Sequence, residues 1–477
     1  MLGGIFAAIM ISAISESDRL SLHNKVSQEF DQTVFFDEGR GMTLSPDFIN
    51  IYEFLAWMFD LSKPHRVVSP EALGGRISFN RRWGIVNHDR ELKGFFNVAY
   101  NDLNVGALGC VACHSGKAAG LYITGLGNKN IDPGQVGEDA YRSLKLWRAL
   151  HFWKYKSNDY LDIEERSIDF ARRLKNSKYN NLTQGMVPVA LIQQWFYQQA
   201  GRDLPEGHGR GAVKVPHFWG YGEKRFVGQF SDGFGDGAHP GWGLLVELVG
   251  GQNVEGAERL MPKVAQLEDD LAHILPPRYP FSIRAEASRQ GKELFDQNCS
   301  GCHGTYDRDS QGLAIFKAPK IISYAKIKTD SDRLDIITDD FLKLVDANPL
   351  RHEIRIKPQP EKGYFAPRLE GIWARFPYLH NASVPTIRDL LRSPELRPRV
   401  WSLEDAGERH RFDEKNLGLT LPSRAELKDL QKRAKRGDRD VYDVSRPGHS
   451  NQGHWFKFSP QLSEQDMDAL IEYLKTL

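Results

Sequence analysis

The chain of 477 residues carries 63 Lys and Arg against 62 Asp and Glu, a formal net charge of +1. That balance excludes the strong single-sign field that binding to nucleic acid or to an anionic membrane surface calls for. Hydrophobic residues make up 40% and charged residues 26%, the composition of a soluble protein long enough for two or three domains. No run approaches the roughly 18 apolar residues of a membrane-spanning helix.

Residues 1–15 read as a signal-like or anchor segment. Met1 to Ile14 is apolar, and Ala13 and Ser15 stand where a signal peptidase acts, without the basic start of an export signal. Residues 46–63 place Ile49, Tyr52, Leu55, Ala56 and Phe59 on one helical face. At 110–114 the chain reads Cys-Val-Ala-Cys-His, followed by a glycine-rich loop from Gly120 to Asp132 that lacks the spacing of a dinucleotide site. Helical patterns are expected over 139–175, with Leu144, Trp147, Leu150 and Trp153, and over 186–200, with Trp195 and Phe196. Residues 201–243 are rich in Gly and aromatics, an ordered loop in which Phe218, Trp219 and Phe234 stand out. A further helical pattern, 243–275, stops at Pro276-Pro277, and 276–283 is the linker candidate.

A second segment begins there. Residues 285–298 are expected to form a helix leading into Cys299-Ser-Gly-Cys-His303. The chain closes with Ser463 as an N-cap before Met467, Leu470, Ile471 and Leu474 at helical spacing. Residues 395–445 are highly charged and read as an inserted surface excursion, with Lys428 to Arg439 a solvated basic face.

Both motifs read C-x-x-C-H, and together they use all four cysteines. This is the attachment signature of c-type haem. Two thiols add to the porphyrin vinyl groups across one short turn, and the adjacent histidine supplies an axial nitrogen. A zinc ribbon would place its two pairs within about 20 residues, whereas these stand 189 positions apart, at 110 and 299. Neither a thioredoxin-like motif nor a structural disulfide explains the two histidines. The expectation is two covalently bound c-type haems, ligated by Cys110, Cys113 and His114 and by Cys299, Cys302 and His303. The expected fold is mainly α: two cytochrome c-like domains with long irregular loops and few short strands. The N-terminal haem domain would span 16–275 and the C-terminal cytochrome c domain 276–477. In such a fold the first and last helices of a domain cross, and Gly291 and Phe295 are expected to meet Leu470 and Tyr473. Haem of this type is attached outside the cytoplasm, which argues for a periplasmic or secreted protein.

The sixth ligands separate catalyst from carrier. Beyond His303 the only methionine is Met467, placed on an apolar helix face, so a histidine is the natural ligand of the second haem. The candidates are His352, His380, His410, His449 and His454. After His114 no histidine follows until His151 and Met186 is distant, so the first haem is expected to keep an open position for O2 or peroxide.

The chain resembles the diheme cytochrome c peroxidase superfamily, and most closely its branch of diheme rubber oxygenases. The resemblance covers roughly 100–477. It rests on Cys110–His114 with Gly125-Leu-Gly-Asn-Lys129, on Pro216-His-Phe-Trp219, on Pro280-Phe281, on Pro377-Tyr-Leu-His-Asn-Ala-Ser-Val-Pro-Thr386, on the loop from Pro447 to His454, and on Leu470 to Leu477. It implies an active haem on His114 with Phe218, Trp219 and Phe234 near it, Trp219 on the electron path between haems, and a bis-His haem on His303 and His454. The distal Glu common in the peroxidases has no counterpart in 231–246, where His239 is the only imidazole. The first functional expectation is a diheme oxidoreductase, oxygenase- or peroxidase-like, taking electrons from a redox partner protein or small donor. The second is an electron-transfer cytochrome without substrate chemistry of its own. Trp219→Ala is expected to spare the fold.

Overall fold

The computed structural model describes residues 43–44, 83–88, 91–100, 103–108, 110–136, 138, 141, 183–219, 276–306, 321–349 and 362–477. The expected helices over 46–63, 139–175 and 243–275 lie largely or wholly outside these residues, as does the segment 1–15.

A three-stranded sheet precedes the first motif. β1 (Thr43–Leu44) pairs with β3 (Leu103–Leu108), and β3 pairs with β2 (Phe95–Tyr100) in an antiparallel hairpin with Val98 opposite Val105. The motif itself forms the short helix α1 (Cys110–His114), followed by the hairpin β4 (Ser115–Ala118) and β5 (Leu121–Thr124). Five residues make barely one helical turn, so α1 needs outside partners for its carbonyls. The glycine-rich loop supplies them. Gly125 donates its N–H to the His114 carbonyl at 2.8 Å, and Asn128 donates its N–H to Cys113 at 2.8 Å and its Nδ2 to Ala112 at 2.9 Å.

The expected helix over 186–200 is shorter than its pattern. Met186–Pro188 forms β6, paired with β7 (Ala212–Lys214), and the helix α2 runs only over Ala190–Gln199. The pattern fails at Val187-Pro188, where a β-branched residue precedes a proline that excludes it from helical φ/ψ.

The second motif segment follows expectation closely. α3 (Ala285–Asn298) leads into α4 (Ser300–His303). α7 (Glu464–Leu474) ends the chain, started by a capping box between Ser463 and Asp466, worth about 1 kcal/mol. α3 and α7 cross at Gly291, where a Cβ would lie 1.9 Å from the Ala469 carbonyl oxygen. Only a residue without a side chain permits that approach. Phe295 is 1% exposed with its ring 5.2 Å from Tyr473, and Leu470 is buried beside them. Burying a side chain of this size contributes about 1.5–3 kcal/mol. The linker candidate docks onto this core: Trp373 Nε1 donates to the Pro277 carbonyl at 2.8 Å, and Phe281 stacks on Phe412 at 6.0 Å.

Between the crossing helices lie α5 (Asp339–Ala347), the pair β8 (Ile321–Ser323) with β9 (Gly363–Phe365), and the pair β10 (Val400–Ser402) with β11 (Val441–Asp443). The charged stretch 395–445 is more than a surface excursion. Its basic run does form a mostly exposed helix, α6 (Arg424–Lys435). But Trp401 and Tyr442, fully buried, stack at 4.5 Å between β10 and β11, and Arg439 pairs with Asp132 at 3.0 Å beyond the first motif. One apolar core runs from Val111 in α1 through Phe218, Trp219, Trp373 and Trp401 to Leu474 in α7. The expectation that Trp219→Ala spares the fold is therefore overturned, because Trp219 is 2% exposed in that core and truncation would leave a cavity. Among the described residues no helix is long and apolar enough to cross a membrane.

Candidate functional site

Each motif histidine is anchored in the same way. His114, 5% exposed, places Nδ1 3.0 Å from the carbonyl oxygen of Pro216. His303 places Nδ1 2.8 Å from that of Pro367. A carbonyl only accepts, so Nδ1 carries the proton in both rings and Nε2 is the basic nitrogen, the form an imidazole ligand takes. Burial lowers the His303 pKa, outweighing the Pro367 carbonyl that raises it, and favours the neutral ring.

The structure brings one of the candidate imidazoles to His303. The ring centroids of His303 and His454 are 6.3 Å apart, with planes at 43°. Two imidazoles bound to opposite sides of one metal ion, with bonds of about 2 Å, put their centroids roughly 6 Å apart, so the pair has the separation a single iron needs. Burial, then the neighbouring His303, holds His454 down to about 3, and it stays neutral. Its loop is built for the position. His454 has φ +50° and Gly453 φ +78°, and a Cβ on Gly453 would lie 2.3 Å from the Lys328 backbone. His454 donates its N–H to the Ile327 carbonyl at 2.8 Å. Arg397, 3% exposed, spans the loop base, donating to the carbonyls of Gly453 at 3.0 Å and Asp389 at 3.0 Å and to that of Asn451.

The other candidates are engaged elsewhere. His449, fully buried, meets Thr183 Oγ1 at 2.8 Å through Nε2 and the Pro447 carbonyl at 3.0 Å through Nδ1. His380 stacks on Tyr364 at 4.2 Å, with Nε2 3.1 Å from its hydroxyl. His410 is exposed, and His352 lies outside the described residues. Met467 is buried on α7, as its spacing predicts.

The surroundings of the second motif suit a flat apolar cofactor. Ile322, Ile327, Leu334, Tyr364 and Ala366 form a buried cluster against which Cys302 and Phe456 pack. Phe456 also meets the edge of His454 at 5.2 Å. Cys299 and Cys302 form no disulfide, so both sulfurs are available to bond such a cofactor.

Phe218 does not stand across from the first motif histidine, as a residue roofing an open position would. It lies flat against His114 itself, centroids 3.9 Å apart and planes at 15°, and so braces the imidazole. Its N–H bonds to the Gly125 carbonyl at 2.7 Å, which fixes it to the loop that caps α1. Phe234 and His239 lie outside the described residues.

Trp219 joins the two histidine anchors. Its Nε1 donates to the Glu370 carbonyl at 2.8 Å. Pro216, which holds His114, is three residues before Trp219, and Pro367, which holds His303, is three residues before Glu370. The anchors were not readable in the sequence, because a backbone carbonyl has no residue-type signature. Arg397 was equally hidden, one arginine among many in a charged stretch.

The family described as RoxA-like, cytochrome c-like matches residues 363–402. The chain carries a cytochrome c-like segment. That links it to the haem-binding cytochromes, whose domains of this kind hold a covalent c-type haem. The matched stretch lies beyond both C-x-x-C-H motifs and supplies Pro367, Glu370 and Arg397. Two proteins of Sinorhizobium fredii (strain NBRC 101917 / NGR234) are similar over longer spans. Uncharacterized protein y4iJ is 28% identical over 280 residues, 46% of this chain and 44% of its own length. Uncharacterized protein y4iM is 27% identical over 248 residues, 42% of this chain and 51% of its own. The chain thus spans about half the length of the curated relatives it matches.

Proposed function

We propose that this chain is a diheme c-type cytochrome oxidoreductase, periplasmic or secreted, with unlike centres. His303 and His454 would hold one haem iron and His114 the other, which would keep a position for exchange. The observation that carries this reading is the pairing of His303 with His454, two imidazoles whose ring centroids lie 6.3 Å apart. Phe218 lies flat on the face of His114 rather than across from it, so the exchangeable position on His114 rests on the sequence, where no histidine stands between 114 and 151.

Bound haem would supply a one-electron couple at each centre and, where a position is exchangeable, a place for O2 or hydrogen peroxide. The chain's own groups then have defined tasks. Pro216 and Pro367 hold the Nδ1 protons and raise the basicity of the Nε2 atoms that would ligate the iron. Phe218 fixes the plane of His114, and Arg397 fixes the loop that presents His454. Trp219, hydrogen-bonded between the two anchor segments, couples the centres. Electrons enter from a redox partner protein or a small donor.

Electron paramagnetic resonance of the oxidised protein, with haem content measured as the pyridine haemochrome, tests the reading. Two haems per chain, one high-spin and one low-spin, are expected. Two low-spin irons, with no spectral change when carbon monoxide meets the reduced protein, would leave an electron carrier instead.

A further inference from the structure

Lys129, Lys214 and Arg375 line one cleft at the seam between the motif segments, together with Asn128, Gln184 and His217, and among the described residues no carboxylate lines it. Lys129 is 6% exposed. It donates Nζ to the Lys117 carbonyl at 3.0 Å and sits 4.4 Å over the Phe376 ring. Half-buried Lys214 donates Nζ to the carbonyls of Arg375 at 2.7 Å and Pro377 at 2.8 Å. Arg375 is 8% exposed. It donates Nη1 to the Arg368 carbonyl at 2.7 Å, and its Nε–H has no partner among the described residues.

All these partners are neutral. The carboxylate that acts on Arg375, Glu370, is already paired with Arg368. Lys214 in turn feels Arg375 and Lys129 as like charges, and burial draws both lysines down, Lys129 to about 7. Concentrated buried charge of one sign is costly without a counter-ion. Three cationic side chains in one cleft, with the Arg375 Nε–H unused among the described residues, match a group bearing two carboxylates, whose approach would also hold both lysines protonated. The neighbourhood narrows the choice. Lys129 adjoins Asn128, which caps α1, and His217 adjoins Pro216, the anchor of His114. On the other side Arg375 acts electrostatically on His303.

We propose that Lys129, Lys214 and Arg375 form a buried cationic seat for the propionate carboxylates of bound haem. The proposal rests on the diheme reading and adds the residues that neutralise the cofactor's acidic edge. A seat of this kind also tunes the centre, because a fixed cation near haem favours the reduced iron.

The test uses the haem-loaded full chain, wild type against Lys214→Met, with Lys129→Met carrying the same readouts should the first variant fail to fold. Haem content is expected to stay at the wild-type level. One couple should shift to lower potential by about tenfold in the oxidised-to-reduced ratio, about 59 mV for one electron. The propionate bending band in the resonance Raman spectrum should move, and Lys214→Arg should restore both. Unchanged potentials and an unchanged band in a fully loaded variant would overturn the seat and leave the diheme reading standing. A wild-type midpoint that moves with added inorganic phosphate would overturn it too, assigning the cleft to a free anion. Wild-type protein without covalent haem would remove both readings together.

Discussion

The indole Nε1 of Trp219 donates to the Glu370 carbonyl at 2.8 Å, and this bond ties the segment that anchors His114 to the segment that anchors His303. A tryptophan so placed has two roles that substitution can separate. Trp219→Phe keeps an aromatic ring in the core and removes the donor together with part of the indole volume. It should cost about 1–3 kcal/mol for the orphaned carbonyl, keep both haems, and slow electron exchange between the centres in stopped-flow reduction. Wild-type exchange in the folded Phe variant would dismiss Trp219 from the path. Trp219→Ala should lose about 3–5 kcal/mol in chemical denaturation.

His454→Ala should convert the low-spin ferric signal of the second centre to high-spin while leaving the haem content intact. His380→Ala and His449→Phe should leave that signal unchanged, since both rings are committed to Tyr364 and Thr183. Loss of the low-spin signal in either of these, with His454→Ala silent, would reassign the ligand.

Arg397→Met should remove the donors that hold the carbonyls of Asp389, Asn451 and Gly453. Several buried acceptors would be stranded, so a loss of about 3–5 kcal/mol is expected, read as a fall in Tm. The low-spin signal should also broaden as the His454 loop loosens. Arg397→Lys keeps the charge but not the planar fork, and should recover only part of the loss.

Stability should fall in acid through His449. Burial holds its pKa down to about 4 from 6.5, against a smaller opposing effect of the Pro447 carbonyl. The unfolded chain therefore takes up a proton that the folded chain refuses between those values. The contribution, up to about 3 kcal/mol, is complete above pH 6.5 and is lost as pH falls toward 4. Urea midpoints measured across that window should slope in wild type and slope less steeply in His449→Phe, where buried His380 and His454 still refuse a proton. Equal slopes would show that another group titrates.

Gly291→Ala places a Cβ against the Ala469 carbonyl and forces α3 and α7 apart. Overpacking of this kind costs about 1–3 kcal/mol. An unchanged Tm would mean that the crossing relaxes without strain.

Some of this was written in the sequence. The two C-x-x-C-H motifs point to c-type haem by residue type and spacing, and the cytochrome c-like match over 363–402 supports that chemistry without giving the number of haems. The helix over 285–298, the Ser463 cap and the Gly291 crossing follow from local periodicity, capping and the one residue without a side chain. These are short-range signals, and they survive folding unchanged. The pattern over 186–200 misled because an apolar run next to Val187-Pro188 serves a strand as well as a helix, and pairing with Ala212–Lys214 decided it.

Only the tertiary structure could choose among the histidines. His449 and His454 lie five residues apart on one loop, and nothing in their spacing tells which one turns toward His303. Positive φ at Gly453 and His454, with Arg397 bracing the loop base, makes that choice. The prolyl carbonyls on His114 and His303 and the cations around Lys214 belong to the same class. Each arises where segments distant in sequence meet, and a chain read in order carries no record of which backbone carbonyl or ammonium will arrive beside which ring.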